Sequence, residues 1–105
     1  MLSTATLALR EWRVRHQTLL NGRFSDLSMV ETNRNSAELR LDCDSCLISI
    51  CVWDHRHCMD IEVLDTSTGK SRIPTAGPSR SMDDLLTRLD HFANWIEANI
   101  PATGR

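Results

Sequence analysis

The residues in this 105-residue chain with the most chemistry to offer are four cysteines and two histidines between positions 43 and 58. Cys43-Asp44-Ser45-Cys46 is a C-x2-C, the usual first half of a tetrahedral zinc site, and Cys51, His55, His57 and Cys58 follow it. Cys58 beside His57 raises a second chemistry, a thiolate activated by an imidazole. Asp60 and Glu62 raise a third, the paired carboxylates of some hydrolases. Gly69-Lys70-Ser71 mimics the end of a phosphate-binding loop, but the upstream glycine and the strand–loop–helix context are missing, which leaves it a turn.

Which of these is workable depends on the elements that hold them. Residues 46–54 and 57–65 alternate apolar and polar side chains on either side of Asp54-His55-Arg56-His57, the pattern of a β-hairpin. Residues 37–43 alternate as cleanly, with Ala37, Leu39, Leu41 and Cys43 against Glu38, Arg40 and Asp42, and residues 25–31 alternate more weakly. Turns at 32–36, 44–45 and 55–56 set three independent registers. They pair Leu27 with Leu41 and Met29 with Leu39; Leu41 with Ile48 and Leu39 with Ile50; and Ile48 with Val63, Ile50 with Ile61 and Val52 with Met59. A one-residue slip anywhere would turn a strand inside out. All three registers place apolar residues on one face, which predicts a four-stranded antiparallel meander. Arg72-Ile73 could extend it as a short fifth strand, before Pro74, Gly77 and Pro78 break regularity.

Residues 4–20 carry Ala5, Ala8, Leu9, Trp12, His16, Leu19 and Leu20 at helical spacing, with Ser3 or Thr4 as N-cap and Asn21-Gly22 as the stop. Leu7 and Val14 fall off that stripe. Residues 82–99 form a second amphipathic helix, capped by Ser81 with Asp84 three residues on and ended by Pro101, after which residues 102–105 form a loose tail. The predicted fold is one α+β domain spanning residues 1–105, a two-layer sandwich with both helices on the apolar face of the sheet.

This frame decides between the chemistries. Cys43 and Cys46 flank a turn at one end of the sheet, whereas His55, His57 and Cys58 lie about seven strand residues away, or roughly 23 Å at strand rise. Cys58 and His57 are neighbours on a strand and point to opposite faces. No metal ligand, cofactor site or catalytic residue is therefore expected, the chain is not read as an enzyme, and the cysteines are read as strand-filling residues. What remains is the open sheet face, which collects Glu38, Asp42, Asp60 and Glu62 together with Trp53.

The charge distribution agrees with that emphasis. Residues 24–65 hold nine acidic side chains against three arginines, while residues 1–23 hold four arginines against one glutamate, inside a formal net charge of −2. Nucleic-acid binding requires the opposite sign at the contact surface, so a basic protein is the better-suited partner. The N-terminal stretch has no uninterrupted apolar core and arginines from position 10, unlike a signal peptide. No apolar run reaches the ~20 residues of a membrane span. A cytoplasmic location with reduced thiols is expected.

The hairpin also resembles a known family. Cys51-Val52-Trp53, a short polar turn, Cys58-Met59-Asp60-Ile61-Glu62-Val63-Leu64-Asp65 and then Thr68-Gly69 is similar to the TriTu immunity proteins of contact-dependent growth inhibition and related polymorphic toxin systems. The specific likeness covers Val52 to Gly69; the rest agrees in length and layout. Two positions depart from the family pattern: His55-Arg56 stands where a turn glycine is usual, and Met59 is inserted between Cys58 and Asp60. The resemblance implies a bacterial protein that neutralises a cognate toxin domain by binding it, without touching nucleic acid or membrane itself. A nuclease toxin, with its basic cleft, suits the acidic face. The residues expected to bind the partner are Glu38, Asp42, Trp53, Asp60 and Glu62. The alternatives are an adaptor unrelated to toxins and, behind it, a small zinc-binding protein.

Overall fold

A computed structural model describes residues 4–33 and 35–102. Helix α1 (Thr4–Arg15) is followed by a one-turn α2 (Gln17–Asn21), five strands and a long C-terminal α3 (Met82–Asn99). The strands are β1 (Asp26–Asn33), β2 (Ser36–Asp42), β3 (Cys46–Trp53), β4 (Met59–Asp65) and β5 (Ser71–Gly77), antiparallel and in sequential order β1-β2-β3-β4-β5. The fold is α+β, as the alternation predicts. Ser3, Arg34 and residues 103–105, to which a cap, part of a turn and the loose tail were assigned, lie outside the described residues.

The register follows from the period of the side chains. Leu27 faces Leu41, Met29 faces Leu39, Leu39 faces Ile50, Leu41 faces Ile48, Ile48 faces Val63, Ile50 faces Ile61 and Val52 faces Met59. Leu39, Leu41, Ile48, Ile50, Val52, Met59 and Ile61 are fully buried. At about 1.5–3 kcal/mol for each large apolar side chain removed from water, this face is the main source of stability.

The helices cover it. Ala5, Ala8, Leu9 and Trp12 of α1 and Leu85, Leu89, Phe92, Ala93 and Ile96 of α3 complete a single core, while Leu7 and Val14 stay exposed. The Trp12 indole N–H donates to the Leu89 carbonyl at 2.8 Å, satisfying the one polar atom this ring brings into the core. Ser81 caps α3, its hydroxyl accepting from the Asp84 N–H at 3.1 Å. The Asp84 carboxylate reaches back to the Arg80 N–H at 2.8 Å, one residue outside the usual capping box. Among the described residues no helix is long and apolar enough to cross a membrane.

Three local features differ from the sequence reading. The N-terminal helix is kinked at His16 (φ −108°, ψ 23°) rather than continuous to residue 20. Helical hydrogen bonds run through the kink, from His16 N–H to Trp12 O and from Leu20 N–H to His16 O, and the imidazole is held on Asp90 of α3 at 2.8 Å. The fifth strand runs from Ser71 to Gly77, through Pro74, because it pairs with β4 on both sides of a register shift that accommodates the proline at the sheet edge, and Arg88 of α3 clamps its far end. Its guanidinium donates to the Thr75 and Ser79 hydroxyls at 2.8 Å and to the carbonyls of Ala76, Gly77 and Pro78 at 3.1 Å. The β3–β4 turn occupies residues 54–58, so β4 begins at Met59 and not at 57.

That turn ties both helices to the sheet. Asp54 Oδ1 accepts from the Ala5 N–H at 2.8 Å and so caps α1 from a point 49 residues away. Arg56 and His57 stand where glycine would be at ease, with φ of 56° and 47°. Left-handed backbone at such residues costs on the order of 1 kcal/mol each and persists only when its surroundings fix it. Here the Arg56 and His57 carbonyls both accept from the Ser79 N–H at 3.1 Å, just upstream of α3.

Candidate protein-docking face

With both helices on one side, the other face of the sheet is left to solvent, and its strands lay out the polar residues in rows. Across the sheet one row reads Val30, Glu38, Cys51, Asp60, Ala76. The next reads Ser28, Arg40, Ser49, Glu62, and a third reads Asp26, Asp42, Leu47, Leu64, Ser71. Trp53 lies in a fourth, opposite Ser36.

The five residues singled out by sequence share this face but are not one cluster. Glu38 and Asp60 flank Cys51 in a single row, two strand spacings or about 10 Å apart. Glu62 stands one row along, and Asp60 and Glu62 rim a depression of about 270 Å³ that also involves Ser49, Cys51, Ile61 and Ala76. Asp42 and Trp53 sit at opposite ends of the sheet, separated by roughly 20 Å of strand. Trp53 is half-buried and adjoins the turn Asp54-His55-Arg56-His57, while the exposed carboxylates lie along the rows beyond it.

The carboxylates differ in what holds them. Glu38 is mostly covered, 19% exposed, and accepts from Ser49 Oγ at 2.6 Å and Arg40 Nε at 3.2 Å. The Ser49 hydroxyl, aided by Arg40, holds this carboxyl below the ordinary glutamate range against the opposing effect of burial. Glu38 is thus a structural anion, largely neutralised in place. Asp42, Asp60 and Glu62 are exposed and make no ion pair among the described residues, and neither does Asp26, which faces Asp42 directly across β1 and β2. Two like charges opposed across a strand pair destabilise a sheet, so this arrangement is an uncompensated cost in the isolated protein. Asp26 was not singled out by sequence, although the Leu27–Leu41 register already set it opposite Asp42.

The reactive-looking residues fall elsewhere. Cys43 and Cys46 close the β2–β3 turn with their sulfurs 2.9 Å apart, at the opposite end of the sheet from His57 and Cys58. Among the described residues no three histidine, cysteine or acidic side chains come together as a metal-binding group. The His57 Nδ1 is buried without a hydrogen-bond partner and makes no bond to the Cys58 thiol. Gly69-Lys70 completes a turn organised by Asp65, whose Oδ1 accepts from the Ser67 N–H, the Ser67 hydroxyl and the Thr68 N–H at 2.9, 2.6 and 3.3 Å, and Ser71 opens β5. A groove of about 690 Å³ between α1, α2 and β1 is rimmed by Arg10, Arg13 and Glu31 and contains none of the five residues. The chain matches no family model, no curated protein and no solved structure.

Proposed function

We propose that this chain is an immunity-type binding protein that neutralises a toxin domain in the bacterial cytoplasm, engaging a basic surface on it through the open sheet face. The observation that carries the reading is the set of four exposed carboxylates, Asp26, Asp42, Asp60 and Glu62, with no ion-pair partner among the described residues on a face that no helix covers. Fixed charges left unpaired, and in the case of Asp26 and Asp42 set against each other, gain most from a cationic partner, which steers association and fixes orientation. A nuclease toxin, which must present cations to phosphate, is the partner class that answers this field best. The likeness of Val52 to Gly69 to the TriTu immunity proteins supports the same reading. Asp60 and Glu62 stand at the centre of the proposed contact, Asp42 and Asp26 at one end, with Trp53 as an apolar contact at the other.

The test is co-expression with the toxin domain encoded immediately upstream, reading growth, followed by association kinetics with the purified pair. The intact protein should restore growth. The double variant Asp60→Lys/Glu62→Lys should slow association by roughly tenfold or more at low ionic strength, and the difference should shrink as salt is raised. An upstream gene without a toxin domain, or association indifferent to both charge reversal and salt, would rule the reading out.

A further inference from the structure

The β2–β3 turn holds two thiols in an arrangement that the docking reading does not use. Cys43 and Cys46 face each other across Asp44-Ser45, with the Cys43 N–H bonded to the Cys46 carbonyl at 3.0 Å and the next pair along being Asp42 and Leu47. Directly opposed, hydrogen-bonded residues of an antiparallel pair have Cα atoms about 5.5 Å apart, inside the roughly 4.4–6.8 Å window of a disulfide. A spacing of that order is compatible with a cross-link at this turn. The side chains have already converged, with the two sulfurs 2.9 Å apart and the Ser45 hydroxyl 3.6 Å from the Cys43 sulfur.

We propose that Cys43 and Cys46 form a peroxide-oxidisable dithiol, with Cys43 the attacking sulfur and Cys46 the resolving one. In the first step the Cys43 thiolate attacks hydrogen peroxide. A sulfur–oxygen bond forms, the oxygen–oxygen bond breaks, and the departing hydroxide takes a proton from solvent to become water. Sulfur is oxidised by two electrons and the peroxide is reduced. In the second step the Cys46 sulfur attacks the Cys43 sulfenic acid. The disulfide forms, the sulfur–oxygen bond breaks, and hydroxide leaves with the Cys46 thiol proton as a second water.

The assignment of roles follows from the surroundings. Burial, the largest single influence, raises the Cys43 thiol, but hydrogen bonds from the Cys46 thiol, the Ser45 hydroxyl and the backbone at Ser45 and Cys46 together bring it below its ordinary value. Burial first, and then the neighbouring Cys43, push Cys46 up to about 12, and with 4% of its surface exposed against 8% for Cys43 it is the poorer first target and is left to attack the sulfenic acid it already touches. Cys43 retains 8% of its surface, and an oxidant of two heavy atoms is the kind that can reach it. The sulfenic acid, once formed, already touches its resolving partner. Cys51 and Cys58 serve as internal controls. Both are more exposed than the pair, but burial raises the Cys51 thiol and neither sulfur has a second cysteine in contact.

The wild-type protein itself supplies the decisive measurement. Treated at neutral pH with near-stoichiometric hydrogen peroxide and mapped by mass spectrometry, it should lose two hydrogens at a Cys43–Cys46 link, reversibly with dithiothreitol. That link should form roughly tenfold faster than any change at Cys51 or Cys58. Oxidation arriving first at Cys51 or Cys58, or a pair left reduced at peroxide doses that consume free cysteine, would overturn the proposal. Cys46→Ser, verified as folded by circular dichroism, should leave a sulfenic acid on Cys43 that a dimedone-type nucleophile traps. A folded variant that takes no label would remove Cys43 from the attacking role.

Discussion

Arg88 supports the sharpest stability prediction, because a single guanidinium fastens the whole end of β5 and the segment leading to α3. Its five donor contacts span Thr75 to Ser79 at 2.8–3.1 Å. A hydrogen bond to a charged group contributes about 1.5–3 kcal/mol when it stands alone. The Ala76 and Pro78 carbonyls are solvent-exposed and regain water when the arginine is lost, so they add little. The three half-covered contacts share two nitrogens and do not sum. Replacing Arg88 by methionine, which keeps most of the apolar stem, should therefore cost about 2–3 kcal/mol out of the ~5–15 that a domain of this kind possesses. At roughly 4–8 °C per kcal/mol, thermal unfolding should fall by about 10–20 °C. Arg88→Lys should recover less than half, since a point charge cannot reach both ends of the acceptor arc. Amide exchange of β5 should accelerate more than that of β2 and β3. An Arg88→Met protein within about 0.5 kcal/mol of wild type, with β5 amides equally protected, would refute the clamp.

The other expectations are more local. Asp54→Ala removes the acceptor for the Ala5 N–H and should cost about 1 kcal/mol, whereas Asp54→Asn should cost little; chemical denaturation separates the two, and equal losses would show that the cap is not the cause. The Glu38 carboxyl is lowered from 4.5, chiefly by Ser49, and a depressed folded value means stability that is present above the unfolded value and lost as pH falls through the folded one. Ser49→Ala should therefore weaken the protein at about pH 6 by more than at about pH 3, and a pH-independent loss in urea titrations would contradict that assignment.

The strands were legible because each apolar residue has a partner two positions away in both directions. The seven pairings from Leu27–Leu41 to Val52–Met59 all stand in the structure, and so does the assignment of Glu38, Asp42, Asp60 and Glu62 to the open face. The limits of α3 were legible from Ser81 and Pro101, which act within one turn of themselves. What could not be read depends on distant groups. The His16 kink accompanies a bond to Asp90, 74 residues on, and β5 passes Pro74 through a register shift against β4, with Arg88 holding its far end. The left-handed Arg56 and His57 carry no glycine signal, because the carbonyl bonds to Ser79 and not residue type fix them. For the site, period two names a face but not distance along it. Trp53 and Asp42 accordingly share a parity while lying at opposite ends.

The sequential strand order also bears on how the chain reaches this structure. Every strand pairs only with its neighbours in the chain, so the sheet can zip from one hairpin to the next, closing short loops each time. The contact between Trp12 and Leu89 is of another kind, spanning 77 positions. Closure entropy grows by about 0.6 kcal/mol for each doubling of loop length, so joining these two residues before the sheet exists would cost roughly 2–3 kcal/mol more than closing a hairpin. Once the meander has formed, it carries both helices towards the same apolar face and most of that cost disappears. Docking of α1 on α3 is therefore expected to follow formation of the meander. The indole of Trp12, fully buried and bonded to the Leu89 carbonyl, is placed to report that step.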